Sequence, residues 1–445
     1  MQRGADRPRE PRVEAALPTA TTSKVASRDR ILVLTALFPV AFIVTALVLE
    51  RPAELAAGLG RILTSPDTLT TDYMGLGSVG SALLNAGLLT LVGIVIVAVT
   101  RAPVTGATVA ALFLLLGFGM FGKNLLNIPA IVTGVWLYAR FRREPFARHV
   151  NTAFFGAALA PIFSELLFSA WLPWAEGLAL ALGTSLLLGF VLPPTAAHLF
   201  HTHQGYSLYN VGFVAGVLGA VVVAVYQSWN FVPEPVFVWS DGHNLLLGLL
   251  FAAMYLVMFG LGVWTDRDCV AGMKAIMRRS GQSPTDFLHI AGMGATMVNM
   301  GLLGLIGLAY VLAVGSDLNG ATLGAVLTIV GFGACGKHPS NTIWIMLGVL
   351  LASLVTDLGP GDPVAVMAAL LGTTLAPVAG AFGWYWGIVA GFVHASVVQS
   401  VEQLHGGLVL YNNGFAAGLV AAVLVPVIVV LRSPRPSSDA GSTLV

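Results

Sequence analysis

Two short polar runs recur at a fixed spacing in an otherwise apolar chain. Gly122-Lys123-Asn124-x-x-Asn127 and Gly336-Lys337-His338-Pro339-x-Asn341 stand 214 residues apart, each between two apolar stretches. Glycine there permits a sharp break and close backbone approach. Pro339 cannot continue a helix and suits the first turn of the next. A broken helix exposes free N–H groups and a dipole end, which can hold an anion or a polar solute. An interfacial loop with a snorkelling lysine would also explain one such run, but recurrence in both halves favours a binding or gating element.

A second pair carries more hydrogen-bonding chemistry. His203-x-Gly205-x-x-Leu208-Tyr209-Asn210-x-Gly212-Phe213 matches His405-x-Gly407-x-x-Leu410-Tyr411-Asn412-x-Gly414-Phe415. His, Tyr and Asn both donate and accept, as a pathway for a polar solute requires, and His203 also has the chemistry of a pH sensor. The competing reading is capping and interhelical bonding, with Gly212/Gly216 and Gly414/Gly418 as packing faces. The candidate solute-binding residues are therefore Lys123, Asn127, His203, Tyr209, Asn210, Lys337, His338, Asn341, His405, Tyr411 and Asn412. Glu165 lies inside an apolar segment and Glu402 lies near His405; a carboxylate there is costly and suits proton or cation coupling. Asn85 and Asn299, paired within apolar stretches, read as interhelical glue more than as pathway lining.

Other chemistries lack a signal. There is no Gly-x-x-x-x-Gly-Lys-[Ser/Thr] phosphate loop and no His-Glu-x-x-His zinc motif. The His198-x-x-His201-x-His203 cluster is not assigned a metal. No cofactor, catalytic residue or nucleic-acid contact is expected.

The elements that must position these residues are membrane helices. Of 445 residues, 56 % are hydrophobic and 10 % charged, against roughly 25 % charged in soluble domains. Mean hydropathy is +0.84, so the bilayer is the solvent for most of the chain. The net charge of +1 creates no field for nucleic acid, and two cysteines, Cys269 and Cys335, make no disulfide framework. The expected fold is all-α and polytopic, with about 14 transmembrane or half-membrane helices. Those beside Lys123 and Lys337 are short enough to be half-helices.

Residues 78–127 align without gaps on 292–341, sharing Asn85/Asn299, Gly106-Ala107-Thr108/Gly320-Ala321-Thr322 and Gly117-Phe118-Gly119/Gly331-Phe332-Gly333. The layout reads as a disordered tail (1–30), an anchor helix (31–50), repeat one (73–226), a connector with one helix (227–286), repeat two (287–431) and a second tail (432–445). Arg and Lys cluster in the first tail, after Arg140 and after Arg267, while 357–363 carries none. Alternating the chain on this bias puts both termini in the cytoplasm and gives the halves opposite orientation, an inverted repeat in the cell membrane. Repeat two lacks the Trp171–Gly177 loop, so a tight turn is expected near Gly383-Trp384.

The Gly-Lys-His-Pro-x-Asn run and the terminal Tyr-Asn-Asn-Gly-Phe-Ala-Ala-Gly-Leu resemble a family of prokaryotic membrane proteins known as a domain of unknown function. That resemblance spans most of 31–431 and implies an integral membrane protein with no assigned substrate. Tyr209-Asn210 and Tyr411-Asn412 also resemble the Tyr-Asn helix starts of urea transporters, although Phe213 and Phe415 stand where leucine is usual and the order of elements differs. That likeness implies a pore or carrier architecture.

Together these features point to a secondary carrier for a small polar solute, with its site between the halves and the lipid bilayer and the solute as its partners. A homo-oligomer is compatible with this reading. A passive channel for a small neutral solute is the main alternative. An intramembrane enzyme fits poorly, because an enzyme needs one asymmetric site and the polar motifs come in pairs.

Overall fold

In a computed structural model the described residues are 27–169, 171–233, 237–266 and 268–433, and they form an all-helical protein. The tails expected at 1–30 and 432–445 lie almost wholly outside them. The chain opens with α1 (Arg28–Leu49), a short amphipathic α2 (Pro52–Leu63), a single turn α3 (Tyr73–Leu76) and α4 (Val79–Thr100). The short α5 (Gly106–Phe118) and α6 (Pro129–Arg142) flank Lys123. Next come α7 (Val150–Gly156), α8 (Ala160–Phe168), α9 (Trp174–His203) and α10 (Asn210–Gln227). The second half runs through α11 (Asn244–Thr265), α12 (Cys269–Met277), α13 (Phe287–Ala313), α14 (Gly320–Phe332) and α15 (Pro339–Val355). It closes with α16 (Pro363–Leu371), α17 (Ala376–Phe382), α18 (Trp384–His405) and α19 (Asn412–Arg432).

Among the described residues nine helical segments are long and apolar enough to cross a bilayer, counting α7–α8 and α16–α17 as one segment each. At 1.5 Å per residue, the 13 residues of α5 and of α14 reach only about two thirds of a ~30 Å hydrocarbon core. The anchor helix begins at Arg28, ahead of the expected residue 31. Ser27 accepts the Arg30 amide at 3.4 Å, and the Arg28 guanidinium donates to Val97 O at 2.8 Å, fixing the start of α1 to the end of α4. Gly383, at φ 106°, is the single residue between α17 and α18, the tight turn expected where the second half lacks the loop.

The outer surface is apolar and the inner one is not. Val48, Val99, Leu245 and Trp264 are each more than three quarters exposed, whereas Lys123, Asn127, Lys337, Asn341, His394 and His405 are fully buried. Such a surface is stable only against lipid tails.

The halves are built alike. α1 and α2 pack on α4 as α11 and α12 pack on α13, and α6 packs on α9 as α15 packs on α18. The anchor and connector helices are thus matching parts of the two halves, where the sequence suggested separate elements. The halves meet along α5 and α14 and along α10 and α19. Gly117 lies against Gly324, Ala110 against Gly331 and Gly106 against Ala334, so α5 and α14 run antiparallel. A Cβ on Gly117 would sit 3.1 Å from Gly324 Cα, and one on Gly212 would sit 3.3 Å from Gly414 Cα. Small residues at these crossings let the backbones touch, the main route to tight helix association in lipid.

Candidate functional site

Each short helix at the centre ends in the same knot. Lys123 N donates to Phe118 O and Lys337 N to Phe332 O, both at 3.0 Å, after turns through Gly122 (φ 77°) and Gly336 (φ 122°). The asparagine four residues beyond each lysine bridges the gap. Asn127 Oδ1 accepts Asn124 N at 2.9 Å while its Nδ2 donates to Gly122 O at 3.1 Å. Asn341 does the same with His338 N at 2.9 Å and Gly336 O at 2.9 Å. From the preceding long helix, Asn85 Nδ2 donates to Gly119 O at 2.7 Å and Lys123 O at 2.9 Å. Asn299 donates to Gly333 O and Lys337 O, both at 2.8 Å. Asn85 and Asn299 are glue of a specific kind, satisfying the carbonyls that a broken helix orphans.

The knots hold the two lysines where they reach across to the other half. Lys123 Nζ donates to Tyr411 OH at 2.6 Å, and Lys337 Nζ donates to Tyr209 OH at 2.5 Å. Phe118 and the Tyr411 ring flank the first ammonium at 4.9 and 4.6 Å; Phe332 and the Tyr209 ring flank the second at 5.3 and 4.6 Å. Lys337 has a further partner, Thr373 Oγ1 at 2.7 Å. The three ion pairs among the described residues, Arg28–Asp29, Arg142–Glu144 and His149–Glu144, include neither lysine.

Tyr209 and Tyr411 line a cavity of about 380 Å³ together with Asn210, Phe332, Cys335 and Asp286. Ser283–Asp286, Thr105 and Ala107 also line it. Against the same two tyrosines, Leu114, Phe118, Thr328, Leu371 and Gly414 enclose a separate void of only about 10 Å³. The sequence alignment makes these counterparts: Phe118 of Phe332, Thr328 of Leu114 and Gly414 of Gly212. Closure on that side has a visible clasp. Asp72 Oδ1 accepts the Gly320 amide at 3.1 Å, and its Oδ2 accepts the Ser240 amide at 3.2 Å and the Ser240 hydroxyl. Asp286 is the counterpart of Asp72 and Gly106 that of Gly320. Both aspartates cap their own helices, Asp72 accepting Met74 N at 2.9 Å and Asp286 accepting Leu288 N at 3.0 Å and His289 N at 3.3 Å, but Asp286 has no described hydrogen bond to Gly106.

Of the residues singled out by sequence, Tyr209, Asn210 and Tyr411 line the cavity, and Lys123 and Lys337 stand directly behind the tyrosines. Asn127, His338 and Asn341 serve the knots, His338 also reaching Arg279 O at 2.9 Å. His203 bonds Asn210 Oδ1 and His405 bonds Asn412 Oδ1, each at 3.0 Å. Those asparagines donate in turn to Ala196 O and Val398 O at 3.1 Å, tying neighbouring helices together. Glu402 is part-buried near the end of α18 and is not among the cavity residues.

Asp67 carries no signal in the sequence pattern. This fully buried residue lies in the connection from α2 to α3, outside the spanning helices. Its Oδ2 accepts Ser164 Oγ at 2.7 Å, Asn127 Nδ2 at 3.0 Å and Asn124 Nδ2 at 3.3 Å, and its Oδ1 has no partner among the described residues. Burial, with a smaller contribution from the nearby Glu165 charge, pushes its pKa up to about 7 against the pull of those donors. In the other half Asn341 meets the Ser280 carbonyl, at 3.3 Å, instead of a carboxylate. Gly380 and Ala381 stand there for Ser164 and Glu165. Because the cluster occurs once, the repeat could not reveal it.

A family model described as a protein of unknown function, DUF1576, matches the chain twice, over residues 51–228 and 265–430. The two matches start at α2 and at the end of α11, so they track the two halves. No curated protein and no solved structure matches the chain, and the likeness to urea transporters rests on the Tyr-Asn motifs alone. Together the two matches span most of the chain: it belongs to the DUF1576 family, whose function is unknown.

Proposed function

We propose that this protein is a secondary carrier for a small polar solute, built as an inverted repeat with a central site at Tyr209 and Tyr411 and with its cavity open to one side. One observation carries the reading. Phe332, Phe155 and Gly212 line a cavity of about 380 Å³, while their counterparts Phe118, Leu371 and Gly414 line a void of only about 10 Å³. A static pore would give equivalent residues equivalent surroundings. A carrier caught in one of two conformations gives this inequality, and exchanging the conformations of the halves would open the other side. The antiparallel α5–α14 register supports the inversion, because equivalent helices run in opposite directions about a common centre.

The open mouth lies beside Arg278 and Arg279. By the distribution of basic residues this is the cytoplasmic face, with both termini on the same side. Asp67 and Glu165 supply carboxyl groups for proton coupling in one half.

Cys335 lines the cavity and offers a test. In a Cys269→Ser background, a membrane-impermeant maleimide should label Cys335 in inside-out vesicles and not in right-side-out ones. Solute counterflow in proteoliposomes should saturate and accelerate exchange. Labelling from both sides, with flux linear in solute concentration, would replace the carrier by a channel.

A further inference from the structure

The chemistry of the cavity narrows the class of solute. Each lysine donates to a phenol oxygen, so that oxygen is already an acceptor and its own hydrogen must point elsewhere. Both tyrosines line the cavity. The floor therefore offers the Tyr411 O–H as a donor and the Tyr209 O–H, which it shares with Thr373, each backed by a buried lysine. Hydrogen bonds from such donors are strongest to an ionised acceptor.

Charge agrees. Two buried lysines converge on the tyrosine pair without a carboxylate among their described contacts. Charging a buried lysine without a counter-ion is costly, and a bound anion would supply that counter-charge. The outer vestibule shares Pro284, Thr285 and Asp286 with the cavity and carries Arg278 and Arg279, whose two positive charges outweigh the one carboxylate of Asp286 and favour the approach of negative charge. The remaining walls include Leu114, Phe155, Phe200 and Leu208. They give little to a multiply charged or sugar-like solute, and the volume sits near the low end of the ~300–1,000 Å³ usual for small-molecule sites.

Resting on the carrier reading, we propose that the cavity binds a small monocarboxylate with an apolar body, its carboxylate held by the hydroxyls of Tyr209 and Tyr411 and its hydrocarbon part against the phenylalanine and leucine walls. A cationic amine is disfavoured by the lysines, and a neutral amide gains less from polarised donors.

The test uses the full chain in detergent with Cys269→Ser and follows alkylation of Cys335 by N-ethylmaleimide. The probes are acetate, isovalerate and benzoate, each against its amide and its amine at equal concentration. The expected result is a saturable slowing of alkylation, tenfold or more, by isovalerate or benzoate, with amide and amine at least tenfold weaker. Tyr209→Phe and Tyr411→Phe should each weaken protection tenfold or more while the Tm of the unliganded protein stays within a few degrees, which separates lost recognition from lost folding. Equal protection by the amide, protection by the amine, or no protection by any carboxylate would overturn the proposal. The carrier reading fails separately, through the sidedness of Cys335 labelling in the absence of any solute.

Discussion

Removing Asn85 tests the account of the broken helices most directly. Its Nδ2 serves two carbonyls, Gly119 O and Lys123 O, at 2.7 and 2.9 Å. Neither carbonyl has a ready substitute donor, because Lys123 N, which would otherwise reach Gly119 O, already bonds Phe118 O. Orphaning a buried carbonyl costs about 1–3 kcal/mol, so the two together cost about 2–6 kcal/mol. Asn85 Oδ1 is itself buried without a partner, so deleting it recovers about 1–3 kcal/mol. The net expectation for Asn85→Leu, which keeps the number and branching of the side-chain heavy atoms, is a loss of about 1–3 kcal/mol. That exceeds the ~0.6 kcal/mol average for interhelical hydrogen bonds in a membrane protein, because here the carbonyls belong to irregular backbone. Asn299→Leu should behave alike, since Asn299 has the same two-carbonyl contact and the same partnerless Oδ1. Reversible unfolding in mixed micelles, by detergent titration or steric trapping, gives the number. A loss below about 0.5 kcal/mol in both variants would refute the view that these asparagines hold the breaks together.

Three further outcomes follow from the same geometry. Asp67 holds its proton up to about pH 7 in the native protein but releases it near 3.8 when unfolded. Its contribution is therefore complete below about pH 4 and disappears as pH rises to about 7, a span of at most about 4 kcal/mol. The titratable groups facing it are Glu165 and Tyr73, while Lys123 points away to Tyr411. The Tm should fall between pH 5 and pH 7.5, and Asp67→Asn should flatten that profile; an unchanged profile would exclude Asp67 as the group. Asp72→Ala removes the clasp on the Gly320 amide and Ser240, so a cysteine at Thr328 should become at least several-fold more reactive from the external face, with no change if the clasp does not hold that side shut. Gly324→Leu forces a side chain against Gly117 and Phe121 and should cost more than about 2 kcal/mol, against less than about 0.5 kcal/mol for Gly183→Ala, at an open position.

Much of this architecture could be read before any coordinates. The apolar stretches mark the long helices, although of the roughly 14 segments expected nine are long and apolar enough to cross a bilayer among the described residues. The doubled Gly-Lys and Tyr-Asn runs identify the residues that meet at the centre. Which lysine meets which tyrosine could not be read, since that depends on how α5 and α10 cross their counterparts. For His203 and Asn412 the sequence left a solute pathway and ties between helices open, because a histidine bonding an asparagine seven residues on looks the same in sequence as one facing a solute. Asp67 was invisible for a different reason: it sits in an irregular connection whose neighbours, Ser164 and Asn127, are distant in the chain.

The crossed pairing of Lys123 with Tyr411 and of Lys337 with Tyr209 has the reciprocity of a two-fold symmetric dimer, in which residue i of one copy meets j of the other and j meets i. Neither half contains a complete lysine–tyrosine pair. On the proposed inverted repeat, one half alone would need a second, oppositely inserted copy to finish its site, and two copies in one chain are free to differ. Thr373 beside Lys337, facing alanine at the equivalent position 157, and the carboxylate cluster confined to Asp67 and Glu165 are two such differences. Expressed as two fragments split within 227–243, the halves should be inactive alone and regain function only when made together.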